Sequence, residues 1–178
     1  LFFWNMDSGT EISRIRVEGN VTALAFSPDG RFLAVGEDDG SLHIWLTHTT
    51  FLAHSLDERS GGRVMQSAVY SGGFGILDFS PDGKFLATAG ADGVARVWEV
   101  STQREVARMT HAAPVRGVAF SPDGKWVTST SADGVTFTWL WRNEDLIELA
   151  CARGRYGLSP KEIKIYLPNG ERDYKTCP

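Results

Sequence analysis

Cysteine is scarce in this chain, and long apolar runs and surplus positive charge are missing. The two cysteines, Cys151 and Cys177, lie near the C-terminal end, too few and too local for the disulfide framework of a small secreted domain. They are read as reduced thiols, a local bridge being the alternative. No apolar run approaches a membrane span, and the opening Leu1-Phe2-Phe3-Trp4 gives way at once to polar residues, unlike a signal-peptide core. A net charge of −4 and a pI near 5.6 supply no basic surface to neutralise phosphates, which argues against nucleic acid and anionic membrane as partners. No GxxxxGK[ST] phosphate loop occurs, so nucleotide hydrolysis is not expected here. The expectation is a soluble, cytoplasmic protein. Because the chain opens inside a strand-like stretch, it reads as a segment of something larger.

What is present is repetition. Three segments align without gaps, Val21 to Trp45, Phe74 to Trp98 and Val115 to Trp139. Trp4 marks a fourth, partial unit. The first and last tryptophan intervals are about 41 residues, within the span of four-stranded propeller repeats. The middle interval is longer by about a dozen residues, a polar, glycine-containing loop around Asp57 to Gly62. Each unit carries a turn of Ser27-Pro28-Asp29-Gly30, Ser80-Pro81-Asp82-Gly83 or Ser121-Pro122-Asp123-Gly124. Proline presets φ, aspartate binds the local backbone and glycine accepts positive φ. A second turn, Asp39-Gly40, Asp92-Gly93 or Asp133-Gly134, reverses the chain into the strand that ends in tryptophan. A further strand such as Arg104 to Met109 completes a four-stranded meander. Such a sheet cannot bury both faces alone and must stack on its neighbours.

Period, turns and terminal tryptophan together resemble the WD40-repeat family over residues 1 to 141. The resemblance implies an all-β propeller segment of about three and a half blades: a partial blade at 1–20, then blades at 21–70, 71–111 and 112–141, with a helical tail at 142–178. The Asp of the Trp-Asp signature is replaced by Leu46, Glu99 and Leu140. Propellers beside prolyl peptidases and in TolB-like proteins share the Ser-Pro-Asp-Gly turn, but the Asp-Gly turn followed by Trp favours WD40. The family's buried tetrad maps onto His111, Ser129, Asp133 and Trp139. It maps in part onto Tyr70, Thr88, Asp92 and Trp98, and onto Val17, Val35, Asp39 and Trp45. Tryptophan only donates, carboxylate only accepts, and hydroxyl and imidazole do both, so such a set can chain together. A Ser-His-Asp protease reading loses to this one, because a nucleophile needs an exposed oxygen and an oxyanion hole.

The resemblance places the partner-binding face on the inter-blade loops and the residues before each turn aspartate: Thr22, Asp38, Gly75, Ala91, Arg116 and Ala132. Protein or peptide partners and the rest of a parent chain are implied, with no cofactor and no catalysis. His43, His48 and His54 could approach one another but lack the Cys or carboxylate of a recognisable metal site. Glu37, Asp38 and Asp39 read as a solvated acidic turn rather than a calcium site.

After Trp139 no fourth strand follows. Asn143-Glu144-Asp145 starts a helix with acidic residues in its first turn, and Ser159-Pro160-Lys161-Glu162 has the form of a second helix start. The missing strand is expected from sequence upstream of Leu1. The tail, through Asp145, Leu146, Ile147, Ala150, Cys151, Leu158, Ser159, Glu162, Tyr166, Leu167, Tyr174, Thr176, Cys177 and Pro178, resembles one that ends WD40 arrays in large bacterial multidomain proteins. There a STAND-type NTPase, a kinase or a protease-like effector precedes the propeller. That implies a scaffold or sensor, with a regulatory propeller of a signalling enzyme as the alternative.

Overall fold

Alternation and turn chemistry put Trp4, Trp45, Trp98 and Trp139 in strands. A computed structural model describes residues 1–17, 19–47, 63–67 and 74–153. A hairpin of β1 (Phe2–Asn5) and β2 (Thr10–Arg14) comes first. The first full sheet has β3 (Val21–Phe26), β4 (Phe32–Glu37), β5 (Leu42–Leu46) and β6 (Arg63–Ser67) in that order. The second has β7 (Phe74–Phe79), β8 (Phe85–Gly90), β9 (Val94–Glu99) and β10 (Arg104–Thr110). The third has three strands among the described residues, β11 (Val115–Phe120), β12 (Trp126–Ser131) and β13 (Thr136–Leu140), followed by helix α1 (Asn143–Arg153). All pairings are antiparallel. The fold is all-β with one short helix, as the residues led us to expect. The expected second helix and Cys177 lie outside the described residues.

The Ser-Pro-Asp-Gly turns set the register. In the first, Gly30 at φ 69° closes the reversal, the Ser27 hydroxyl donates to Asp29 Oδ1 at 2.6 Å, and the backbone N–H of Arg31 and Phe32 donate to Asp29 and Ser27 at 3.0 and 2.9 Å. The same bonds recur at Ser80-Asp82 and Ser121-Asp123. One turn chemistry repeated three times gives three sheets of one register.

Period two then sorts each sheet's residues onto two faces. Ala34, Leu42 and Ile44 of the first sheet pack against Leu77, Phe79, Leu86 and Trp98 of the second. Ala87, Ala89, Ala95 and Val97 of the second pack against Val115, Val118, Val127 and Trp139 of the third. In the second seam an alanine-rich face meets larger side chains such as Trp139. Full burial of a side chain such as Leu86 contributes about 1.5–3 kcal/mol.

Candidate functional site

Above each apolar seam the repeat holds a buried polar slot, filled differently in each sheet. In the third sheet Trp139 Nε1–H donates to Ser129 Oγ at 3.2 Å, and Ser129 Oγ lies 2.8 Å from His111 Nε2. His111 Nδ1 lies 3.0 Å from Ser131 Oγ, which donates to Asp133 Oδ1 at 2.5 Å. The proton count runs one way. Asp133 can only accept, so the Ser131 proton goes to it, His111 Nδ1–H donates to Ser131, and in the neutral ring Nε2 accepts the Ser129 proton while Ser129 Oγ accepts from Trp139. The Ser131 hydroxyl and the Val135 N–H hold the Asp133 carboxyl below its ordinary pKa. The His111 ring also lies 4.8 Å from that of Phe137.

This corrects the four-residue reading in one respect. Asp133 is linked to His111 through Ser131, which the alignment with the family pattern passed over. The signal was present in Ser129-Thr130-Ser131, since residues two apart on a strand share a face. Ser129 is fully buried and its oxygen is occupied by Trp139 and His111, so it cannot attack a substrate.

In the second sheet Trp98 Nε1–H donates to Thr88 Oγ1 at 3.1 Å. Asp92 turns away from that pair and takes the Arg96 guanidinium in a fork, Nη2 to Oδ2 at 2.7 Å and Nη1 to Oδ1 at 3.2 Å. Glu105 Oε2 lies 3.4 Å from Arg96 Nε. Gly90 makes room, for a Cβ there would sit 2.4 Å from Asp92 Oδ1 and 3.0 Å from Val94 O. Tyr70 lies outside the described residues.

In the first sheet Val35 offers Trp45 no hydroxyl, and the slot holds an acid and an imidazole instead. Glu37 Oε1 lies 3.0 Å from His43 Nε2, and Glu37 Oε2 accepts the Gly19 N–H at 2.6 Å. Glu37 is 1% exposed and His43 5%. The reading of Glu37 as part of a solvated acidic turn is therefore corrected, because its carboxylate points inward and only Asp38 and Asp39 are exposed. Asp39 Oδ1 accepts the Ser41 N–H at 2.7 Å. His48 and His54 lie outside the described residues. Among those described, no three His, Cys, Asp or Glu side chains are placed to hold a metal.

The expected partner-facing residues Thr22, Asp38, Gly75, Ala91, Arg116 and Ala132 are exposed. Asp38 clamps the preceding connection, accepting Asn20 Nδ2–H at 2.7 Å and Asn20 N–H at 3.2 Å, and these bonds lower its pKa. Gly75 also borders the seam. A Cβ on it would lie 3.3 Å from Arg116 O, so its small size lets β7 approach β11.

Two features had no sequence reading. Asp78 Oδ2 accepts the Phe120 N–H at 2.7 Å across the seam between second and third sheets. Trp141, buried, donates from Nε1 to Gly124 O at 3.0 Å, packs edge-on to Phe85 at 4.5 Å, and carries the Arg142 guanidinium 4.6 Å from its ring centroid. Alanine stands at the positions equivalent to Asp78, and Thr47 and Val100 at those equivalent to Trp141, so the residue types gave no cue, although the Thr47 hydroxyl donates to Gly30 O as Trp141 does to Gly124 O.

Comparison with known proteins gives the same picture. A family model described as "WD domain, G-beta repeat" matches residues 10–45, 68–99 and 104–139. Protein HIR1 of Candida albicans is 36% identical over 112 residues, 60% of this chain and 12% of that protein. SEC12-like protein 2 of Arabidopsis thaliana is 33% identical over 106 residues, 58% of this chain and 23% of that protein. The chain thus spans less than a quarter of these relatives' length. The WD40 repeats of RRP9 superpose with a TM-score of 0.59 at 22% identity, over 71% of this chain and 37% of that one. The Cps50 (Swd1) propeller of Myceliophteria thermophila gives 0.58 at 20% identity, over 72% and 41%. At these identities the two structures speak to fold alone.

Proposed function

This chain belongs to the WD domain, G-beta repeat family, and from that premise we propose that it forms part of a non-catalytic protein-interaction platform. One observation carries the reading. The side chains with chemical potential, His111, Ser129, Arg96, Glu37 and His43, are buried and engaged, while Thr22 and Arg116 at the starts of β3 and β11 and Asp38, Ala91 and Ala132 at the turns face outward. Rigid sheets holding exposed, variable loops are a common basis for recognition. The combined Asp38→Arg and Arg116→Glu substitutions should abolish capture of the protein's partners. A Ser101→Lys substitution, on the exposed turn between β9 and β10, should leave capture unchanged. Equal capture by all three proteins would refute the assignment of this face.

The wider setting belongs to the same proposal. The tail residues from Asp145 onward support a cytoplasmic module of a large bacterial signalling or defence protein, with a regulatory role toward an NTPase or kinase as the alternative. The yeast and plant relatives, about a third identical over little more than half the chain, lend that setting no support. A phosphate loop or kinase motif in the polypeptide that carries this chain would favour the regulatory alternative.

A further inference from the structure

The strands β3, β7 and β11 break their ladders at the same place. The register shifts at Thr22 in β3, at Gly75 and Ile76 in β7, and at Arg116 in β11. A bulge takes its residue out of the strand's alternation and re-aims the side chain. In β3 the re-aimed group is bonded back into the sheet, for the Thr22 hydroxyl donates to Gly36 O at 3.2 Å. In β7 and β11 nothing in the sheet takes it up. Ile76 is 44% exposed, and Arg116 is exposed with no ion pair or side-chain hydrogen bond among the described residues.

These two bulges are neighbours across a seam whose sheets are both in place. A Cβ on Gly75 would lie 3.3 Å from Arg116 O, so the backbones meet there, and the exposed residues that precede Asp92 and Asp133 are both alanine, Ala91 and Ala132. The surface is one of short side chains, with an exposed isoleucine and a guanidinium on adjoining bulges. We infer that it takes a short acidic and apolar segment of a protein partner, in which an aliphatic or aromatic side chain covers Ile76 and an adjacent Asp or Glu carboxylate meets Arg116.

Charge selects that occupant. The acidic side chains of the neighbouring turns are already engaged, Asp38 by Asn20, Asp92 by Arg96 and Asp133 by Ser131, which leaves Arg116 without a carboxylate. A guanidinium is weakly hydrated and holds a carboxylate through two parallel N–H bonds, and apolar contact at Ile76 would shed water beside that pair. A basic segment would meet Arg116 with like charge. A wholly polar one would give Ile76 nothing to bury against. The inference rests on the proposed interaction face and adds the chemistry of its partner.

The test uses the full-length polypeptide and three labelled peptides of equal length, alternating Leu and Glu, Leu and Lys, or Ser and Glu, with binding followed by fluorescence anisotropy. The Leu/Glu peptide should bind about tenfold tighter than either of the others. Arg116→Glu should reverse the order of the Leu/Glu and Leu/Lys peptides, Ile76→Ser should bring Leu/Glu down to the level of Ser/Glu, and Ser101→Lys should change nothing, all at unaltered Tm. Equal binding of Leu/Glu and Leu/Lys, equal binding of Leu/Glu by wild type and Arg116→Glu, or binding of no peptide would overturn the inference. If any of these occurs while partner capture is lost in the combined Asp38→Arg and Arg116→Glu variant, the face stands and only its chemistry falls. Capture retained in that variant removes the face itself, and the inference with it.

Discussion

Asp78 reaches out of its own sheet to accept the backbone N–H of Phe120 at 2.7 Å, and the equivalent positions in the other sheets are Ala25 and Ala119. The bond ties the inner strand of the second sheet to that of the third. Burial raises the Asp78 pKa, with the Phe120 bond opposing. A carboxyl raised in the folded state binds its proton more tightly there than in the unfolded chain. Stability therefore falls as pH rises from its ordinary value toward its folded one. Asp78→Asn keeps the acceptor and removes the charge, so stability at pH 7 should be unchanged or higher and that pH dependence should vanish. Asp78→Ala leaves Phe120 N–H without its acceptor and should cost about 1–3 kcal/mol. Urea unfolding at several pH values separates the two.

The chain from Trp139 to Asp133 passes through Ser129, so that hydroxyl should be the most sensitive atom of the third sheet. Ser129→Ala strands Trp139 Nε1–H and His111 Nε2 together, and a loss of about 2–3 kcal/mol is expected, near the upper end for a single buried group. Ser131→Ala should cost less, because Asp133 keeps the Val135 N–H. A double-mutant cycle between Ser129 and His111 should return a coupling of about 1 kcal/mol, measured by chemical denaturation. Simple additivity would contradict the network.

Glycine has different meanings at Gly90 and Gly117. Gly90→Ala would drive a Cβ against Asp92 and Val94 O and should destabilise by about 1–3 kcal/mol, as overpacking does. At Gly117 the nearest atom to a Cβ is Thr130 Cβ at 3.9 Å, ordinary contact. Gly117→Ala should be neutral or stabilise by about 0.4–1 kcal/mol through the unfolded state. Paired thermal melts test both.

Acid should loosen the turns before the core. Hydrogen bonds from Ser27, Ser121 and Ser131 hold Asp29, Asp123 and Asp133 below the ordinary 3.8. A lowered folded value means that their contribution is present above about pH 4 and lost as pH falls through the folded value. Asp133→Asn should flatten the acid limb of the stability curve below pH 4 and leave the rest of the curve parallel. A limb as steep as the wild type's would remove Asp133 from the cause.

The repeat was legible because it is local. Ser27-Pro28-Asp29-Gly30 and its two counterparts carry their own hydrogen bonds within five residues, so turn, register and strand order follow from short segments. The same holds for the placement of Trp98 beside Thr88 and Trp139 beside Ser129, since both pairs lie on neighbouring strands of one sheet. Helix α1 was legible from its acidic first turn.

What tertiary structure alone decided lies between sheets or in the competition for one slot. That Glu37 turns inward to His43 and Gly19, that Asp92 prefers Arg96, and that Ser131 stands between His111 and Asp133 depend on which neighbour reaches a buried acceptor first. Composition does not encode that order, because desolvation makes every buried polar group take the best partner within reach. Asp78 and Trp141 fall in the same class, for each acts across a seam that exists only once two sheets are packed. The sequence by itself determined the blades; packing determined which of their polar side chains were spent inside them and which were left to face outward.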